Sequence, residues 1–79
     1  MTRNEILASL QEIFQDVFDD GSLSIDESMT SDDVNGWDSL SQIELIMTIE
    51  GEFSVKFSIE DAMEMHTVGD IVNHIEERI

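Results

Sequence analysis

Residues 36–52 read GWDSLSQIELIMTIEGE, and the fold is decided by where this stretch divides. Gly36 and Trp37 still belong to a polar, loop-like region, whereas Asp38 carries the short acidic side chain that caps a helix start. From that cap a second helix is expected to run to about Glu52. Leu45, Ile46 and Ile49 fall on one face, with Leu40, Ile43 and Met47 along an adjoining edge. That apolar surface is wider than packing against one core requires.

Upstream, Ile6, Leu7, Leu10, Ile13, Phe14, Val17 and Phe18 recur three and four apart and predict a first helix, with Thr2 and Glu5 at capping-box spacing. Asp19, Asp20 and Gly21 end the pattern, and the region up to Trp37 is rich in Ser, Asp and Thr. It predicts a long loop, which Leu23, Ile25, Met29 and Val34 would pin to the core. Downstream, Ser58 with Asp61 and Thr67 with Asp70 repeat the capping spacing, opening a short third helix and a fourth that carries Val68, Ile71, Val72, Ile75 and Ile79. Residues 53–57 alternate briefly, but a lone strand would have no partner. The expected fold class is all-α: a small four-helix bundle in one domain over residues 1–79, with a long loop between helices 1 and 2 and a short third helix.

Charge narrows the partners. Nineteen Asp and Glu face three Lys and Arg, giving a net charge of −16, with no cation between Arg3 and Lys56. Such a molecule is repelled by nucleic acid and anionic membrane, and is steered toward proteins with basic patches. Disorder is countered by the 41% apolar residues and their helical spacing. Without cysteine there is neither a disulfide framework nor a thiolate metal site. No apolar run is long enough for a membrane span or a signal peptide, so a cytoplasmic monomer is expected. His66 and His74 fit surface or cap roles, and no metal site is expected around them.

Ser39 would lie in the first turn of the second helix beside free backbone amides, where an anion is favoured. Taken alone, Asp38-Ser39 is no more than a helix cap. The ordered set Asp38-Ser39-Leu40, Ile43-Glu44-Leu45, Glu50-Gly51-Glu52-Phe53 and Met65-His66-Thr67-Val68-Gly69-Asp70-Ile71 resembles the acyl carrier protein family across nearly the whole chain. The resemblance implies a right-handed bundle that is a carrier and no enzyme, with no catalytic residues of its own. Ser39 would receive 4′-phosphopantetheine from coenzyme A through a phosphodiester, and acyl groups would ride on the arm as thioesters. It further implies recognition by a phosphopantetheinyl transferase and by acyl-transferring or condensing enzymes with basic patches. That contact would run through Asp38, Leu40, Ile43, Glu44, Met47 and Glu50, with Leu45, Ile49, Ala62, Met65 and Ile71 lining a slot for the acyl chain. The same slot residues are equally suited to ordinary core packing.

Ser41 and Gly51 stand where the fatty-acid-synthesis pattern has acidic residues, and Gly51 weakens the helix end by about 1 kcal/mol relative to Ala. Trp37 is closer to carriers of polyketide or other specialised pathways, as a partner contact or as a plug closing the loop. An aminoacyl or peptidyl carrier would share the fold and the arm. Two other classes compete. Asp16, Asp20, Gly21, Leu23 and Glu27 match positions of a calcium-binding EF-hand loop, although Phe18 falls at a ligand position. Hydrolysis by Ser39 with a histidine lacks the Gly-x-Ser-x-Gly elbow.

Overall fold

A computed structural model describes residues 1–79. Four helices follow one another: α1 (Arg3–Val17), α2 (Ser39–Phe53), α3 (Ile59–Met63) and α4 (Val68–Glu76). Each begins as its sequence dictates. Thr2, Ser58 and Thr67 accept the amides of Glu5, Asp61 and Asp70, and those three side chains return the bond to the cap backbone. Asp38 caps α2 in the same reciprocal way with Ser41, which thereby gains a structural role at a position where the fatty-acid-synthesis pattern has an acidic residue. α2 runs one residue past the expected end near Glu52, to Phe53, and stops at Ser54, whose left-handed backbone (φ 56°, ψ 44°) turns the chain away. No strand follows, and residues 54–57 form a connector from which Val55 is buried.

α1 packs on α2 and α4, and α2 packs on α3. The core between them is aliphatic apart from Phe14 and Trp37: Ile6, Leu10, Leu45, Ile49, Val68, Ile71, Val72 and Ile75 are fully enclosed. Ile79, expected on the α4 stripe, lies beyond the helix and is exposed. The loop of residues 18–38 is pinned as predicted, with Ile25 and Val34 buried and Leu23 and Met29 packed against the core. It is also sewn down by backbone. Val68 N–H donates to the Met29 carbonyl at 3.0 Å and Gly69 N–H to that of Glu27 at 2.9 Å, beside a bridge between Thr30 and Thr67. The approach explains Gly69: a Cβ there would sit 3.0 Å from the Glu27 carbonyl oxygen.

Few cations remain for the surface. Arg3 clasps Glu27 and reaches Glu76, joining the start of α1 to the loop and to the last turn of α4. Arg78 donates to Asp61 at 2.6 Å and to the carbonyls of Lys56 and His74. Lys56 alone makes no ion pair. With a net charge of −16 against two ion clusters, repulsion is the larger electrostatic effect on the compact state. Raising NaCl from low to physiological strength should therefore increase the melting temperature. A fall would show that the Arg3 and Arg78 clusters outweigh the repulsion.

Candidate functional site

Ser39 is the first residue of α2 and is exposed. Its place is set by the turn before it. Gly36 takes a φ of 91°, a region that only glycine enters freely, and this turns Trp37 inward. The Trp37 ring stands edge-on to Phe14, centroids 5.2 Å apart at 84°, and beside Phe18 at 6.4 Å. Only 7% of the residue is exposed, so Trp37 closes the turn as a plug and leaves only a thin edge to the surface. Ser41 then locks the turn from within α2, its Oγ accepting from Asp38 N–H and donating to the Gly36 carbonyl, both at 2.8 Å.

The amides at this helix end are less free than the sequence implied. Asp38 accepts from Leu40 N–H at 3.0 Å and from Ser41 N–H at 2.9 Å. These bonds, that from the Ser41 backbone foremost, hold its carboxyl below the usual Asp range. The helix end thus already holds its anion in the Asp38 carboxylate. The Asp38 carboxylate, held as an anion and turned to the backbone, is a poor base for the Ser39 hydroxyl. Ser39 Oγ enters none of these cap bonds, and nothing covers it.

A groove of about 820 Å³ opens beside Ser39. The loop supplies one wall through Thr30, Ser31 and Asp32; α3 and its C-terminal turn supply the other through Ile59, Ala62, Met63, Met65 and His66. Trp37, Gln42 and Ile43 lie between them. A serine on the rim with an unclaimed hydroxyl, next to an open groove, fits a phosphodiester-linked arm that needs a free oxygen and somewhere to fold back. Of the five residues expected to line an acyl slot, Ala62 and Met65 reach this groove, whereas Leu45, Ile49 and Ile71 are enclosed in the core with no exposure. The loop wall was missed because only the folded chain brings it to Ser39, and Gln42, one turn along α2, because its partners Ala62 and Met65 lie beyond the helix.

The outer edge of α2 is bare. Leu40, Ile43 and Met47 are 78%, 60% and 66% exposed, and with Glu44 and Thr48 they border a shallow hollow. Glu44 stands free beside them. Glu50 does not: its Oε2 accepts the Phe57 N–H at 2.9 Å, tying α2 to the connector before α3 and drawing the carboxylate away from the face expected to meet partners.

The competing calcium loop loses its end ligand, since both oxygens of Glu27 face Arg3. Asp61, Glu64 and His74 offer atoms within 4.8 Å of one another, but Arg78 already holds Asp61. No helix is long and apolar enough to cross a membrane.

A family model described as a phosphopantetheine attachment site matches residues 8–75. The chain is similar to an acyl carrier protein of Thermotoga maritima, 38% identical over 83 residues that cover 99% of this chain and 96% of the relative. It is also similar to an acyl carrier protein of Exiguobacterium sibiricum, 33% identical over 81 residues that span both chains completely. Among solved structures, that of a holo acyl carrier protein from Geobacter metallireducens superposes with a TM-score of 0.84 and 32% identity, covering 91% of this chain and 83% of that one.

Proposed function

The chain belongs to the acyl carrier protein family, carriers rather than enzymes with a covalent 4′-phosphopantetheine arm, and on that premise we propose that Ser39 is the point of attachment. When bound, the arm supplies a thiol on which an acyl group is held as a thioester. The carried intermediates belong to fatty acid, polyketide or a related specialised biosynthesis, and the chain works as one cytoplasmic domain over residues 1–79. The observation that carries the assignment is the position of Ser39: exposed, excluded from the cap that Asp38 and Ser41 complete, and on the rim of the groove.

The surrounding residues divide the labour. Asp38, Ser41 and the Trp37 plug fix the turn, so that the hydroxyl is presented at a set angle. With no base beside it, Ser39 depends on the phosphopantetheinyl transferase to take its proton. Leu40, Ile43 and Met47 offer a small apolar patch to that enzyme and to acyl-transferring or condensing partners, while Glu44 and the general negative charge steer basic surfaces toward it. An interface this small releases readily, as a carrier must.

The direct test is intact mass after incubation with coenzyme A, Mg²⁺ and a permissive transferase. The wild-type chain should gain one phosphopantetheine, and a chain that stays unmodified sinks the proposal. For the recognition face, Glu44→Lys should slow association with the transferase at low salt, mainly in the on-rate, with the difference shrinking as salt rises. Equal rates at low salt would assign Glu44 to solvation alone. Glu50→Lys is the poorer probe because it also breaks the bond to Phe57.

A further inference from the structure

Gln42 is the polar side chain that joins both sides of the groove. Its Oε1 accepts the Trp37 indole N–H at 2.6 Å, a short bond that fixes which way the carboxamide faces. The indole can only donate, so Nε2 must point the other way, toward the carbonyls of Ala62 and Met65 at the end of α3. Both of those contacts are 3.4 Å long, well beyond the 2.9–3.0 Å at which N–H···O bonds are commonest. The carboxamide is therefore held firmly by its acceptor and loosely by its donor. The Ala62 carbonyl also has a second partner, the Met65 N–H at 3.3 Å, so it is not orphaned if Nε2 turns elsewhere.

An oxygen entering the groove would meet a donor held only by two long contacts, and would compete for it with the Met65 carbonyl, which has no other donor. A saturated chain would lie over the same N–H and leave it only its two long carbonyl contacts, where an oxygen would complete a shorter bond. The rest of the lining is mixed: six of the thirteen groove residues are hydrophobic, and the loop wall adds the polar Thr30, Ser31 and Asp32. The purely aliphatic space, around Leu45, Ile49 and Ile71, is closed.

We propose that Gln42 is a specificity-determining residue, its Nε2 donating to a keto or hydroxyl oxygen of the carried chain so that oxygenated acyl groups are held in the groove in preference to saturated ones. The inference rests on Ser39 bearing the arm. Trp37 acts on cargo only through Gln42, as a positioning residue.

The full chain is first converted to the holo form, with intact mass as the control; no mass gain would overturn the attachment at Ser39 and this inference with it. It is then loaded with a saturated six-carbon acyl group or its 3-keto counterpart. The ¹H–¹⁵N signals of the Gln42 carboxamide and the Trp37 indole should move with the 3-keto group and stay near their holo positions with the saturated one. Gln42→Met, which keeps the length and removes the donor, should speed thioester hydrolysis of the 3-keto cargo about 5-fold and leave that of the saturated cargo unchanged. Trp37→Phe, which keeps a ring in the core and removes the indole donor, should weaken the same preference. If both cargoes move the carboxamide alike, if it is already moved in the holo form without cargo, or if Gln42→Met affects both thioesters equally, the inference falls while attachment at Ser39 stands.

Discussion

Ser39→Ala is expected to abolish the mass gain completely and to leave the fold as it is. The all-or-none outcome follows because the oxygen being esterified is removed, and the neighbouring hydroxyl cannot replace it. Ser41 Oγ is engaged with both the Asp38 amide and the Gly36 carbonyl, inside the turn. Stability should change by no more than about 0.5 kcal/mol, since an exposed first helical residue makes no packing contact to lose and Ala is the best helix former. Ser41→Ala provides the complementary control. It should still be modified, but more slowly and with a lower melting temperature, because the Asp38 cap loses its reciprocal partner. Modification of Ser39→Ala at any site would move the arm elsewhere, and loss of modification in Ser41→Ala alone would exchange the two roles.

Phe14→Ala should be the most damaging single truncation in the molecule. Phe14 is fully buried on α1, and its ring holds both Trp37, edge-on, and Phe18, at 5.6 Å. Removing a buried Phe costs about 3–5 kcal/mol. A chain of 79 residues has only about 4–12 kcal/mol of stability in total. The melting temperature should fall by about 12 °C or more, with a red-shifted Trp37 emission as its support disappears. Because Trp37 plugs the turn before Ser39, the part of the variant that stays folded should also be modified more slowly. A melting temperature within about 5 °C of wild type would show that the aromatic cluster does not hold the turn.

What the sequence displayed and what it hid divide along a physical line. Helices α1, α2 and α4 were legible because their apolar residues repeat locally, and three capping boxes could be read from pairs three residues apart. Ser39 itself was legible only as part of an ordered motif. The fate of Trp37 was undecidable locally, since Phe14 on α1 and Phe18 just past its end, which receive it, lie about twenty residues earlier in the chain. Glu50 has the spacing of a surface carboxylate on α2, yet the backbone at Phe57 claims it from beyond the helix end. The core and the groove could not be separated either. Leu45, Ile49, Ala62, Met65 and Ile71 have similar apolar character, and only their position in the folded chain encloses three of them and brings Ala62 and Met65 to the groove.

The seam that binds the long loop to the start of α4 carries a consequence for timing. Glu27 and Met29 receive their backbone partners from Gly69 and Val68, about forty residues later in the chain. During synthesis the first half emerges with α1 able to form but with nothing for this loop to dock against. Glu27, Met29 and Thr30 reach their final places only when the start of α4 has left the ribosome, whereas Gly36, Trp37 and Asp38 are held by α1 and α2. The serine can thus be set in its turn before the groove beside it is complete, since the walls of that groove come from the loop and from α3.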